Sequence, residues 1–272
     1  MGSNSIMKRL YYCLNRFWYG QTHEWTLSNL RIRRKYRKEF LGLKDIHKGK
    51  RCFIIGNGPS LTAKDLTLIS DEYSFAANRI FYMFDKTNWR PTYYCAQDEV
   101  VIDDIIRDFD TMLNQSRKLF LISGCYNKVD QIVRDSNNAL FFYAHYGSAH
   151  KVREFSDDIS KFISGGSTVT YSAIQIAVYM GFSEIYLLGV DHNYSMKSID
   201  KGNNISTNDV KESYFEGMPT TIKVTNPNTD NATLSFMKAK EFCDSHGVTI
   251  MNATRGGKLE VFPRIKLEDI LK

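Results

Sequence analysis

From residue 51 onward the chain alternates short apolar runs with longer amphipathic stretches. The runs at 51–55, 73–77, 92–96, 118–122, 139–143, 184–190 and 248–252 are rich in Ile, Leu, Phe and Tyr and too short for buried helices, so they predict strands. Between them, 99–115, 126–136, 166–180 and 231–245 have the spacing of helices. Gly181 and Gly247 follow the last two, where a left-handed residue commonly ends a helix. Strands that alternate with helices predict an α/β fold with a mostly parallel sheet flanked by helices. Residues 192–230 break the pattern: they are polar, rich in Asn, Ser, Thr and Gly, and read as a lid-like or loop excursion after a strand.

The first 48 residues differ in kind. Leu10, Leu14, Phe17 and Trp18 fall near helical spacing, and the cationic run Arg31, Arg33, Arg34, Lys35, Arg37 and Lys38 follows. Residues 1–50 hold twelve Lys or Arg against three Asp or Glu, so a chain of net charge +6 divides into a leader of +9 and a remainder of −3. The slightly acidic remainder is a poor partner for nucleic acid, whose binding rests on neutralising many phosphates. Two alternatives explain the basic helical leader: an anchor on an anionic membrane surface, or an arm packed on the domain or on a second subunit in a homo-oligomer. The expected organisation is therefore a basic helical segment over 1–48 and one α/β domain over 49–272.

Five cysteines, with no CxxC and no Cys/His cluster, suggest neither a disulfide framework nor a structural zinc site, and a reducing, cytoplasmic compartment fits them. The apolar runs all fall short of a membrane span, and the N-terminus lacks a secretory apolar block. His145 and His150 have no partner at metal-ligand spacing, so the sequence predicts no metal site.

The candidate chemistry sits at strand ends. Arg51–Ile55 runs into Gly56-Asn57-Gly58-Pro59-Ser60-Leu61, a tight turn in which two glycines remove Cβ atoms where a ligand would approach. Thr62 and Asp65 have the spacing of a capping box at the start of a helix, where exposed amides favour an anion. No Gly-Lys-Ser/Thr follows, so the turn is not a P-loop, and the spacing is not that of a dinucleotide fingerprint. Asn78-Arg79, Gln97-Asp98 and Ser123-Gly124 end the next strands, and in open α/β sheets such carboxyl ends line the ligand crevice. Asp98 also suits a helix cap before Glu99. Gly166, Ser167 and Thr168 form a second small-residue loop at a helix start. Asp191 and His192 close the strand at 184–190, Asp191 as a hydrogen-bond anchor or a base, His192 as a solvated loop residue. Arg255 offers a planar fork for phosphate or carboxylate, or else a surface ion pair. Asp108-Phe109-Asp110 has the DxD spacing of metal-using sugar transferases, but within an amphipathic stretch it reads as solvated charge.

The Gly-Asn-Gly-Pro-Ser-Leu turn, the Asn78 strand end and Gly181-Phe182-Ser183-Glu184-Ile185-Tyr186-Leu187-Leu188-Gly189-Val190-Asp191 together resemble the group that joins bacterial CMP-sialic-acid-type sialyltransferases to the MptE-like domain, over about residues 50–260. The resemblance implies a Rossmann-like sheet and metal-independent transfer from a nucleotide-sugar donor, with no further cofactor. It implies a CMP-linked donor at Asn57, Asn78 and the 164–168 loop, a glycan or lipid-linked acceptor, and work in surface polysaccharide synthesis on the inner face of the membrane. In those sialyltransferases two tyrosines grip the phosphate and a later histidine is the base. Tyr194 and Tyr214 are the nearest tyrosines here, and no histidine lies between His192 and His246. Asp209 falls near the place of the missing histidine and is the substitute base. The alternatives are an MptE-like 6-hydroxymethylpterin pyrophosphokinase using ATP and Mg²⁺, and a catalytically degenerate nucleotide-binding protein.

Overall fold

The strands are apolar on both faces, and a sheet of such strands must be covered on both sides. The computed structural model describes residues 29–133, 138–146, 154–194, 204–205, 207–225 and 227–272. In it β1 (Arg51–Ile55), β2 (Ser74–Ala77), β3 (Tyr93–Ala96), β4 (Lys118–Ile122), β5 (Ala139–Phe142), β6 (Glu184–Leu188) and β7 (Thr249–Asn252) form one seven-stranded sheet. Its order is β7-β6-β1-β2-β3-β4-β5, and every neighbouring pair is parallel. This is the α/β, Rossmann-like architecture expected from the sequence. The chain lays down β1 to β5 in one direction, then returns to the other side of β1 with β6 and β7, so the topology reverses between β1 and β6. Ligand crevices in open α/β sheets form at such a reversal.

The helices are α1 (29–41), α2 (Ala63–Leu68), α3 (Glu99–Ile105), α4 (Phe109–Gln115), α5 (Tyr126–Val133), α6 (Val169–Tyr179), α7 (Thr207–Ser213), α8 (Thr229–Ser245) and α9 (Leu267–Ile270). Nine of the eleven residues of α6 are buried, since it lies over β1, β2 and β3 with α8 packed on its other side. Gly181 and Gly247 stand just past α6 and α8 with φ of 90° and 71°, the conformation a chiral side chain disfavours. The stretch 99–115 is not one helix. A 3₁₀ turn at Ile106–Asp108 divides it, and Ile102, Ile105, Phe109 and Met112 on either side of the break are all buried in the core.

Part of the leader belongs to the core. Ile32, Phe40 and Leu43 are buried in it, and the turns after α1 bond to the end of α6 through Asp45 N to Tyr179 O (3.1 Å), His47 N to Met180 O (2.8 Å) and Gly49 N to Gly181 O (3.0 Å). The His47 ring stacks on Phe182 and bonds the Tyr93 hydroxyl at 2.6 Å. Arg31, Arg34, Lys35, Arg37 and Lys38 stay exposed. The apolar positions Leu10, Leu14, Phe17 and Trp18 lie outside the described residues, and no described helix is long and apolar enough to cross a membrane.

The excursion carries structure that its lack of period did not predict. Asn204–Ile205 pairs antiparallel with Ile222–Lys223, and Ile205, Val210, Ile222 and Val224 form a small core with α7. It docks on the carboxyl edge of the sheet: Phe215 N donates to Asn57 O (3.1 Å), and Thr225 Oγ1 to Asp98 Oδ1 (3.0 Å). Arg79, only 2% exposed, bridges Asp104 (2.6 Å) and the Lys223 carbonyl (2.5 Å), which ties the excursion to the end of β2.

At the reversal, β1 and β6 remain in contact beyond their last paired residues. Gly56 N donates to Leu188 O (2.8 Å) and Gly58 N to Gly189 O (2.9 Å). A Cβ on Gly56 would strike the Gly189 carbonyl, and one on Gly58 would strike the Asp191 carboxylate and, at 2.8 Å, the Gly189 oxygen. The approach of the chain that continues β6 is thus by itself enough to require both glycines. Gly56→Ala is expected to cost at least ~1–3 kcal/mol, the usual penalty for forcing atoms into packed space. Chemical denaturation would measure it, and a variant as stable as the parent would show that the two strand ends can separate cheaply.

Candidate functional site

A cavity of about 560 Å³ opens at this reversal, within the range of small-molecule sites. The ends of β1, β2, β3, β4 and β6 wall it, with the start of α6 and parts of the excursion completing it. Of the donor-site residues expected from the sequence, Gly56, Asn57, Gly58, Asn78, Asp98, Ser123, Gly124, Ser167, Thr168 and Asp191 line it, as do Tyr194 and Tyr214. Pro59, Ser60, Gly166, Asp209 and Arg255 do not.

Ser60 and Arg255, off the wall, have other partners. Ser60 gives its hydroxyl proton to Asp191 at 2.7 Å, and Arg255 donates to the Ser60 carbonyl at 2.9 Å. Arg255 also forms a bidentate pair with Asp65, 2.8 Å on one arm and shorter on the other. Asp65 completes a capping box with Thr62 (Thr62 N to Oδ2, 2.9 Å), as its spacing implied. Asp191, Ser60, Arg255, Asp65 and Thr62 therefore form one polar buttress behind the glycine turn. Gly166 sits under α8, where its carbonyl accepts the Ser235 hydroxyl at 2.9 Å. Asp209 is buried in α7.

The front of the turn is different. Asn57 Nδ2 donates to the Ala77 carbonyl at 3.0 Å, which fixes the orientation of the amide, while its Oδ1 is buried with no partner. Asn78 Oδ1 is likewise buried and unbonded. Each such acceptor costs about 1–3 kcal/mol while unsatisfied, so two in one cavity wall call for donors from outside the chain. Backbone strain gathers at the same place. Four described non-glycine residues have positive φ, and Asn78 (52°), Ser167 (54°) and His192 (53°) all line the cavity. Such strain costs roughly 1–3 kcal/mol per residue and collects at functional sites.

The acidic groups in the wall each have a partner within the chain. Asp98 caps α3 through Val100 N (2.9 Å) and holds Thr225, as its cap position suggested. Glu99 pairs with Lys128 at 3.9 Å. Burial raises the Asp191 carboxyl, with Ser60 hydrogen bonds opposing it, and burial also pushes the Tyr214 phenol well above its ordinary range. Tyr194 lies near enough to Tyr214 to influence its ionisation, so the two expected tyrosines share one side of the cavity. Among the described residues no three His, Cys, Asp or Glu side chains come together as a metal site. Asp108 and Asp110 are off the wall. Asp110 is exposed, and Asp108 is half-buried, its carboxyl raised by burial and by Asp104.

Arg79 and Gln97 line the cavity too, polar residues at strand ends to which sequence reasoning assigned no site role, as do Tyr146, Thr225 and Asn228, which carry no local signal. Thr225 and Asn228 come from the excursion, whose position no periodicity could specify. Gln97 is held by the Ser172 hydroxyl at 2.5 Å, a contact from the buried face of α6.

The buttress has a pH signature. Burial pushes the Asp65 carboxyl up, but hydrogen bonds from Arg255 and Thr62 and the charge of Arg255 together hold it below its ordinary 3.8. A depressed carboxylate contributes stability that is full above the unfolded value and lost as pH falls through the folded one. Arg255→Ala is therefore expected to lower stability at neutral pH by about 1–3 kcal/mol. The loss should shrink as pH falls below 3.8. Urea titrations across that interval check it, and a loss that stays constant with pH would remove the ion pair as its cause.

Comparison with known proteins adds the lineage. A family model described as 6-hydroxymethylpterin diphosphokinase MptE-like matches residues 26–197. Among solved structures the chain is similar to the MAf glycosyltransferase of Magnetospirillum magneticum AMB-1, with 14% identity and a TM-score of 0.49 over 87% of this chain. It spans 39% of the length of that protein. It is also similar to the sialyltransferase CstII of Campylobacter jejuni in complex with cytidine-5'-monophosphate, with 14% identity and a TM-score of 0.45, covering 80% of this chain and 85% of that one. Comparison with curated proteins gives no match. With the glycine turn, the reversal between β1 and β6 and all but the last part of the cavity wall inside the matched stretch, the chain belongs to the 6-hydroxymethylpterin diphosphokinase MptE-like family.

Proposed function

We propose that this protein is a glycosyltransferase that takes a sugar from a CMP-linked donor. The observation that carries the reading is the pair of unsatisfied acceptors, Asn57 Oδ1 and Asn78 Oδ1, in the wall of a cavity at the sheet's reversal. A nucleotide supplies what they lack, in ribose hydroxyls and a base amino group. Gly56 and Gly58 spend their amides on β6, so the donor's phosphate is held elsewhere. Tyr194 and Tyr214 take that role, with Tyr214 protonated and able to donate to an anion. Ser167 and Thr168, at the N-terminus of α6, face the same ligand.

The family description favours a second reading, a 6-hydroxymethylpterin diphosphokinase that uses ATP and Mg²⁺. The exposed cations of α1 suit an anionic membrane face, where the enzyme would meet a lipid-linked acceptor on the cytoplasmic side.

Calorimetry separates these readings. CMP is expected to bind in preference to ATP with Mg²⁺, and Asn57→Ala to weaken CMP by ~10-fold or more, the loss of one or two polar contacts. Unchanged CMP affinity in Asn57→Ala would remove the glycine turn from the site, and ATP-dependent turnover of 6-hydroxymethylpterin would replace transfer with the diphosphokinase. Tyr214→Phe keeps the ring and removes only the hydroxyl, so donor turnover should fall ~10-fold or more while the fold is unchanged. A rate equal to the parent's would exclude the phenol from the phosphate.

A further inference from the structure

Transfer needs a group to take the acceptor's proton, and Asp209 lies buried in α7, off the cavity wall. His192 meets the requirement. It borders the main cavity and also a second groove of about 520 Å³ between α8 and residues 258–261, whose sides include Met237, Leu259 and Val261. Of the described residues lining the two spaces, His192 is the one they share. A donor in the first and an acceptor entering along the second would therefore meet at this ring.

Thr233 Oγ1 lies 2.7 Å from His192 Nε2 and 2.9 Å from the Thr229 carbonyl. With the Thr233 proton given to that carbonyl, Nε2 is the protonated ring nitrogen and Nδ1 keeps the lone pair, and this is the tautomer that a base requires. The ring packs edge-on against Phe236, which fixes its plane, and burial lowers its pKa below the ordinary 6.5, so it is neutral at pH 7. Its φ of 53° is the strained conformation shared by Asn78 and Ser167 in the same wall.

Resting on the glycosyltransferase reading, we propose that His192 is the general base of the reaction and Thr233 the residue that positions it. The acceptor oxygen forms a bond to the anomeric carbon of the donor sugar. The bond from that carbon to the phosphate oxygen breaks with its electron pair leaving on CMP, and the acceptor's proton passes to His192 Nδ1.

The test uses CMP-N-acetylneuraminate as the donor and water as the acceptor, following release of CMP by the full chain. Asn and Gly both tolerate positive φ, so His192→Asn and His192→Gly keep the backbone unstrained. Each is expected to lower the rate by about 100-fold or more, the usual scale of general-base catalysis, with CMP affinity within about twofold of the parent. Added imidazole should restore part of the rate in His192→Gly, where the ring has left a space. Release by both variants within about twofold of the parent rate overturns the assignment, and so does a rate loss matched by an equal loss of CMP affinity or left unrescued by imidazole. A parent protein that binds CMP but releases none from the donor rejects the transferase reading itself, a result distinct from failure of the base.

Discussion

The contact on which the rest of the molecule depends is the one between the ends of β1 and β6. There, two backbones lie so close that neither Gly56 nor Gly58 has room for a single carbon, and their amides are spent on the carbonyls of Leu188 and Gly189. This closure joins the two halves of the sheet where the topology reverses, and the turn that leaves β1 is forced outward over the carboxyl edge. The cavity exists because the strand ends on either side diverge around that fixed point.

Polar groups around the turn divide into two sets by whether they are satisfied. Behind it, Asp191, Ser60, Arg255, Asp65 and Thr62 bond to one another and hold the turn against β6. In front of it, Asn57 and Asn78 each leave a buried oxygen unbonded, and Asn78, Ser167 and His192 hold strained backbone angles. A folded chain retains such costs only where the surrounding structure enforces them, and the sheet with its nearly fully buried α6 provides that rigidity. The division separates groups that brace the turn from those left to a ligand, a distinction residue type alone could not make, since Ser60 and Asn57 are both polar residues of the same turn.

The excursion after β6 completes the wall from outside the sheet. Its paired strands and α7 bury few apolar residues, so its position rests on bonds with strand ends, from Phe215 N to Asn57 O, from Arg79 to the Lys223 carbonyl and from Thr225 to Asp98. Asn57 and Asp98 thus meet both the docked segment and the cavity. Ligand contact and seating of the excursion share these two residues, which couples the seating of the segment to occupancy of the site.

Much of the fold was legible along the chain, because strand and helix periods and capping residues are local. The strands, the α/β class, the left-handed ends at Gly181 and Gly247 and the Thr62–Asp65 capping box all follow from neighbours a few positions apart. So does the clustering of candidate residues at strand ends, since a parallel sheet gathers its carboxyl ends on one edge. The tertiary structure alone decided what those residues face. Ser60 and Asp191 meet across 131 positions and Arg255 and Asp65 across 190, so a fork suited to phosphate is bonded to a carboxylate, and glycines suited to a ligand are pressed against a strand. Local sequence sets the conformation of each segment, whereas the use of a polar side chain is set by whichever distant segment the sheet order brings against it.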